Sequence, residues 1–575
     1  MEAPSFLPGR TRQLVEISSM NDGLQVPDDR LLYTLKFRTD GAAQFEQRCP
    51  DRSKPFSPST RLSRPLHQKD YSLVKLVVQV VLLTVFLFAG GCAKLMPLHL
   101  PDEYEAPSAR EPLWYQLESV RSNTWIYPLN TGSEALEWRL RVIDSASQSI
   151  DLQTFLWKDD STGFAVAEGL LEAAKRGVRV RLLLDDTFTD AYNLVIQRLI
   201  GHPNIALRIY NPAALRSTNM VVRNLINLED FGRVNHRMHN KLLVADNRAA
   251  IVGGRNVADE YYGRHKRYNF RDFEILTAGP SITYISQSFD AYWNSDWSYP
   301  VEMLFDVQSP SLLGADKSTH GHQQWQEYSE DGASQMAAWL AAAQDGLAGE
   351  IQVVADRPAA DDQNDTDAQP TQLSSTLIDL MEQAEEELVL VSAYLIPTPE
   401  LEAVVEQAEN RGVRVRILTN SLRSNNHVAA HSAYRAHLNR LLGHGAEVHE
   451  IRVLAEDRER YMDHPVGDKH LGLHAKLLLI DDHLSFVGSA NLDPRSLRLN
   501  TEMGLLIRSP SFNNHLRDLL AIDFLQRNAW YLKLDDGGST NWIAGDIVLK
   551  SQPAESFLQR LEDWLLGMLP IEQEL

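Results

Sequence analysis

The sequence predicts an α/β protein of two duplicated α/β/α sandwich domains packed about a pseudo-two-fold axis. Three observations predict it. A sparse pattern occurs at His239, Lys241, Asp246, Gly253, Gly254 and Asn256 and again, 235 positions on, at His474, Lys476, Asp481, Gly488, Ser489 and Asn491. A second string keeps that displacement, KRGVRVRLLLDD at 175–186 and NRGVRVRILTNS at 410–421. Each half also alternates helix-like and strand-like segments with short connections, as in a sheet covered by helices on both faces.

In order along each half, Leu136, Leu140 and Ile143, then Leu377, Met381 and Ala384, recur at i, i+4, i+7, one stripe of a helix. Apolar, strand-like runs follow, IDLQTFLW at 150–157 and LVLVSAYLI at 388–396, before the RGVRVR strings and, later, the motif strands LLVA and LLLI. The domains are expected at 114–306 and 372–575. The polar stretch 307–371 between them, with ADRPAADDQNDTDAQP at 355–370, reads as a mobile linker or surface loop. His320 and His322 within it read as exposed loop histidines, because no companion ligands accompany them. A pseudo-two-fold axis brings equivalent residues together, which predicts His239 and His474 on opposite sides of one cleft.

The 16-residue apolar run 76–91 follows Lys75 and directly precedes Cys92. It is short for a bilayer span, which needs about 20 residues, and suits a signal-peptide core. Ala89, Gly90 and Gly91 before Cys92 resemble a bacterial lipoprotein cleavage box, with Cys92 as the lipidated residue; an uncleaved membrane anchor at 74–92 is the alternative. A secretion signal sits at the start of its chain, so translation is expected to start near Leu73 or Val74, leaving 1–73 as a non-native or disordered extension.

A net charge of −21 over 575 residues argues against a bulk electrostatic grip on nucleic acid. Locally the sign reverses: Arg233 to Phe270 holds eight Lys or Arg against three acids, either a solvated basic face or a surface for anionic headgroups. Two cysteines, Cys49 and Cys92, do not make a disulfide framework. At the tail, Phe557, Leu561, Trp564, Leu565 and Met568 form a helical apolar stripe, expected to pack in the core, with a membrane-seeking face as the alternative.

The motif carries phosphodiester chemistry. In a strand, residues i and i+2 share a face, so His239 with Lys241, and His474 with Lys476, point together at the exposed end of a buried strand. Glycines 253, 254 and 488 are expected to form a tight turn returning Asn256 and Asn491 to the same spot. Attack at phosphorus spreads negative charge over the nonbridging oxygens, which the two lysines and two asparagines can stabilise. One imidazole attacks and the other protonates the leaving alcohol, a pair of tasks suited to a side chain with a pKa of about 6.5. Each histidine needs its other ring nitrogen held: Glu502 is the candidate for His474, and Asp272, with Glu274 as rival, for His239. Asp246 and Asp481 complete the motif, but their places along the strand predict structural anchors of strand ends.

The strings RMHNKLLVADNRAAIVGGRN and LHAKLLLIDDHLSFVGSANLDPRSLRLNTEMG resemble the HKD signatures of the phospholipase D superfamily, and within it the bacterial cardiolipin synthases of the C-type. The similarity runs from about Trp114 to the C-terminus. It implies a phospholipase D-like fold and a metal-independent, cofactor-free, two-step reaction through a phosphatidyl-histidine. His239 and His474 would be the nucleophile and acid pair, Lys241, Lys476, Asn256 and Asn491 the phosphate binders, and Ser489 a hydroxyl contact, with Asp246 and Asp481 the third members of the catalytic signatures. Phosphatidylglycerol, and phosphatidylethanolamine as a further option, would be the substrates, at the membrane of a bacterial cell envelope on its periplasmic side. Hydrolytic phospholipase D, and a nucleic-acid phosphodiesterase, are the alternatives. One departure stands out: Gly254 replaces the usual Ser, so the first half lacks a hydroxyl, which would make it the less nucleophilic half.

Overall fold

The computed structural model describes residues 95–104, 111–188, 194–215, 227, 230–304, 332–358 and 371–569. All fall within one compact unit, Phe88–Leu575. The expected extension at 1–73, the signal-like run with Cys92, and His320 and His322 lie outside the described residues. Among the described residues no helix is long and apolar enough to cross a membrane.

The duplication is visible strand by strand. The first sheet runs Leu347–Ala348, Trp125–Leu129, Glu274–Ala278, Ala249–Gly253, Leu242–Ala245, Ser149–Thr154, Arg179–Asp185, Ile205–Tyr210, Ser298–Pro300. The second runs Glu350–Ala355, Met503–Arg508, Leu484–Gly488, Leu477–Ile480, Glu387–Val391, Arg414–Asn420, Glu447–Ile451, Ala529–Leu534, Thr540–Ala544, Ile547–Leu549. In each, three consecutive strands are parallel (Ser149–Thr154, Arg179–Asp185 and Ile205–Tyr210; Glu387–Val391, Arg414–Asn420 and Glu447–Ile451), and the motif strand joins the first of them antiparallel.

Side-chain alternation divides the sheet faces between cores. On the outer face of the first sheet, helix Gly132–Ser145 buries Leu136, Leu140 and Ile143, and helix Ser161–Lys175 buries Val166 and Leu170. Thr131 caps the first of these helices and Asp160 the second, each accepting an early backbone N–H. The outer face of the second sheet has its own core, with Leu377, Met381 and Ala384 beneath it. The inner faces share one cluster: Val244, Ile275 and Phe289 of the first half pack in it with Val389, Leu477, Leu505 and Leu516 of the second. Helices Ile282–Trp293 and Pro510–Ala521 contribute to this shared cluster. The two expected domains therefore form one body, because neither inner face is covered without the other half.

The stretch 307–371 is not a simple linker. Within it Gly332–Asp345 is a helix whose Trp339 is fully buried against Trp114, Trp125 and Trp138. Leu347–Ala348 then pairs with the first sheet, and Glu350–Ala355 with the second. Averaging this segment with its acidic neighbour hid three apolar anchors, Trp339, Ala342 and Ala343.

The third residue of each motif sits at the far end of its strand from the histidine. Asp246 and Asp481 begin the turn after the motif strand, at φ of 52° and 48°, a left-handed conformation that short polar side chains tolerate. Asp246 accepts the N–H groups of Gln148 and Ser149 at 2.8 and 2.9 Å and the indole N–H of Trp114 at 2.9 Å. Asp481 accepts those of Glu386 and Glu387 at 2.8 and 3.1 Å. Both tie the strand turn to the preceding helix-to-strand connection. The catalytic place that the motif implied for them is thus corrected: with four strand residues between, they stand about 16 Å from their lysines.

Asp246→Ala, which orphans several buried donors, is expected to lower unfolding free energy by about 3 kcal/mol, against about 1 kcal/mol for the more exposed Asp481→Ala. Urea denaturation of both variants checks the order; equal stability with lost turnover would contradict it.

Candidate active site

The site is made by hydrogen bonds between the two halves. Met238 and Thr501 form a parallel bridge, and Leu473 pairs parallel with Arg271. The N–H of His239 donates to Thr501 O at 2.9 Å, and that of His474 to Arg271 O at 2.8 Å. These are equivalent contacts under the duplication. Since Glu502 and Asp272 come next in the chain after Thr501 and Arg271, each histidine meets the acid of the opposite half. His239 Nδ1 lies 2.9 and 3.0 Å from the Glu502 oxygens, and His474 Nδ1 lies 2.7 Å from Asp272 Oδ2. The pairing expected within each half is therefore exchanged. Glu274, the rival candidate, is instead held by Arg139 and Arg255.

With Nδ1–H donating to a carboxylate, Nε2 of each imidazole carries the lone pair. Aromatic rings fix the imidazole planes: Phe155 against His239, and Tyr261 and Phe270 against His474, all with centroids 5.0 Å away. Both histidines, both lysines and both acids are buried. The crossed hydrogen bonds bring the two motifs to one site, where the charges of both lysines act on both imidazoles.

Burial, and then the neighbouring lysine charges, hold His239 well below the ordinary imidazole value and push His474 down to about 3. Burial alone would raise Asp272, but His474, Lys476 and Arg255 together bring it below the usual carboxylate range. Glu502 goes the other way: burial pushes it up to about 7. Lys241 and Lys476 are lowered by burial to about 7 and about 8. The His239 side can thus hold an extra proton near neutrality, whereas the His474 side is a neutral imidazole on an ionised aspartate. Each lysine amine donates to the carbonyl of its own histidine at 2.5 Å, which fixes it beside that residue.

The Gly254 departure has a steric cause. A Cβ there would lie 2.2 Å from Asp272 Oδ1. In the other half Ser489 donates to Glu502 and accepts the N–H of Met503 at 3.0 Å. In the first half the hydroxyl is bypassed: the Phe273 N–H donates directly to Asp272 Oδ1 at 2.7 Å. The acid one methylene shorter takes the space of the serine. Gly253 and Gly488 are likewise small for close approach, since a Cβ would meet Phe273 O or Met503 O at 2.5 Å. None of the three glycines has a positive φ, so the expected role in a tight turn is replaced by this packing role.

Asn256 and Asn491 follow these glycines and are buried; Asn491 Oδ1 has no hydrogen-bond partner, which leaves a polar atom for a ligand. Sequence reasoning missed three supporting residues. Asp185 accepts the Met238 N–H at 2.9 Å, and Asn420 accepts the equivalent Leu473 N–H at 2.8 Å. Both stand at one position of the duplicated RGVRVR strings, so the displacement of 235 could have found them. Asp356, in the supposed linker, accepts the Glu502 N–H at 3.0 Å.

The cardiolipin synthase, PLD-like domain matches residues 140–293 and 377–523. The chain belongs to this family. It is 33% identical to cardiolipin synthase C of Escherichia coli (strain K12), over 78% of this chain and 95% of that protein. It is 25% identical to cardiolipin synthase B of Shigella flexneri, over 70% of this chain and 81% of that one. The crystal structure of phosphatidylserine synthase from Haemophilus influenzae Rd KW20 superposes with a TM-score of 0.51 at 15% identity, covering 80% of this chain and 100% of that one, which shows the shared fold.

Gly254→Ser is expected to displace Asp272 and cut kcat by about 100-fold, as loss of an orienting contact does. Gly254→Ser with Asp272→Glu, which copies the other half, should recover part of it in the same assay; no loss in the single variant would contradict the steric account. The alkaline limb also has a set direction. The lysines are cations below about 7 and about 8, so kcat/KM should fall as pH rises through that window. A rate rising with pH across it would show that the lysines do not act as cations.

Proposed function

We propose that this chain is a membrane-attached phosphatidyltransferase that makes cardiolipin from phosphatidylglycerol, with phosphatidylethanolamine as a further lipid substrate. Family membership and the crossed, buried His–acid pairs support the reading. In the first step the Nε2 lone pair of one histidine attacks phosphorus, a P–N bond forms, and the P–O bond to the leaving glycerol breaks. The other imidazole, protonated for that step, gives the glycerol oxygen its proton. In the second step that now neutral imidazole takes the proton of a hydroxyl on another phosphatidylglycerol, whose oxygen attacks phosphorus and breaks the P–N bond. Lys241 and Lys476 neutralise the nonbridging oxygens throughout, and Asn256 and Asn491 donate their amide N–H groups to them, which in a low-dielectric site is worth far more than in water.

The observation that carries transfer over hydrolysis is burial. His239 and His474 are 8% and 5% exposed, and both orienting acids 0%. Such a site admits a lipid hydroxyl delivered with its own apolar chains more readily than it retains bulk water. The lipoprotein-like signal supports a place on the periplasmic side of the cell envelope, with Cys92 lipidated. Mass spectrometry of the mature N-terminus is expected to find modified Cys92; retention of 1–73 would contradict that part.

Purified protein incubated with labelled phosphatidylglycerol, with and without phosphatidylethanolamine, is expected to yield cardiolipin and glycerol by lipid mass spectrometry, and His474→Ala to yield neither. Phosphatidic acid alone would mark a hydrolase, and DNA cleavage in the same buffer a nuclease. Undiminished turnover in His474→Ala would overturn the site.

A further inference from the structure

The helix Phe557–Leu566 is amphipathic in the reverse sense of a packed surface helix. Its Asp563 is buried, 2.8 Å from His431 Nδ1 and 3.0 Å from Arg435 Nε, and accepts from Gln552 at 2.6 Å. The apolar residues of this helix and of the turn after it face outward: Phe557 is 73% exposed, Leu558 71%, Trp564 49%, Leu565 51% and Met568 60%. The expected core packing of this stripe is corrected, because a polar grip on helix Val428–His444 holds the inner face.

This helix lies at the catalytic end of the second sheet. Asn420, which closes strand Arg414–Asn420, hydrogen-bonds Leu473, the neighbour of His474, in both directions at 2.8 Å. The loop after Asn420 is held twice. Gln559 of the helix donates to Leu422 O at 3.1 Å, and Tyr268, set edge-to-face against the Phe270 that touches His474, donates to Ser424 O. The outward face carries one cation and one anion, Arg560 and Glu562, so it has no net charge to select a charged protein surface. Its Phe, Trp, Leu and Met side chains suit the headgroup–acyl boundary of a membrane.

We propose that the outward face of residues 557–569 docks on a phospholipid bilayer and holds the catalytic end of the cleft at the lipid surface. This rests on the lipid-substrate reading, since it is the phosphodiester of a bilayer lipid that must reach His474. Docking by apolar insertion predicts binding that persists in high salt.

Hydrogen exchange of the full chain, with and without phosphatidylcholine–phosphatidylglycerol vesicles, tests the contact apart from the chemistry. New protection across 557–569 on vesicle addition is expected, and its loss in Leu558→Glu/Trp564→Glu. Unchanged exchange there would overturn docking, as would protection that grows with protein concentration alone, the mark of a second copy. The same variant should raise KM for vesicular lipid about tenfold while turning over a short-chain monomeric phospholipid normally. Protection without turnover of either substrate by the unaltered chain would leave docking standing and overturn the lipid-transfer reading instead; equal KM in variant and parent would overturn docking.

Discussion

Two backbone hydrogen bonds, His239 N–H to Thr501 O and His474 N–H to Arg271 O, join the halves where the chemistry is placed. Each puts a histidine beside the acid that follows the accepting residue. Without them neither half contains an oriented imidazole, since the acid supplied along its own chain serves the other side. The pseudo-two-fold axis is therefore part of the site itself. It explains why the inner faces share one core and why the segment 332–358 contributes a strand to each sheet.

Symmetry of backbone is combined with asymmetry of side chains. Asp272 with Gly254 faces Glu502 with Ser489, and Asp185 stands where the other half has Asn420. The shorter acid takes its N–H directly and is held ionised; the longer one is reached through a hydroxyl, and burial raises it to about 7. A two-step transfer needs one imidazole that attacks and one that carries a proton, and unlike environments are how one fold separates such roles. The glycine that looked like a missing hydroxyl is better described as room for an aspartate.

What was legible in the sequence was whatever depended on local periodicity and on the repeat. The stripe of Leu136, Leu140 and Ile143, the apolar motif strands, and the two His–Lys pairs are written in neighbouring residues, and the structure has them as helix, buried strand and cleft. The crossed partnership was not legible, because it joins residues 263 and 202 positions apart through strand register between halves. Trp339 was lost in the acidic composition around it, and the tail helix showed its stripe but not which side faced the protein. Periodicity names a face; only tertiary packing says what covers it.

The crossed pairing is tested most directly by 15N NMR of the imidazole nitrogens in protein labelled at histidine, with the His239 and His474 signals assigned by their loss in His239→Asn and His474→Asn. Asp272→Asn is expected to shift Nδ1 of His474 and leave His239 in place, while Glu502→Gln does the reverse. A shift of His239 in Asp272→Asn, with His474 unmoved, would show that each half orients its own histidine and would contradict the composite site.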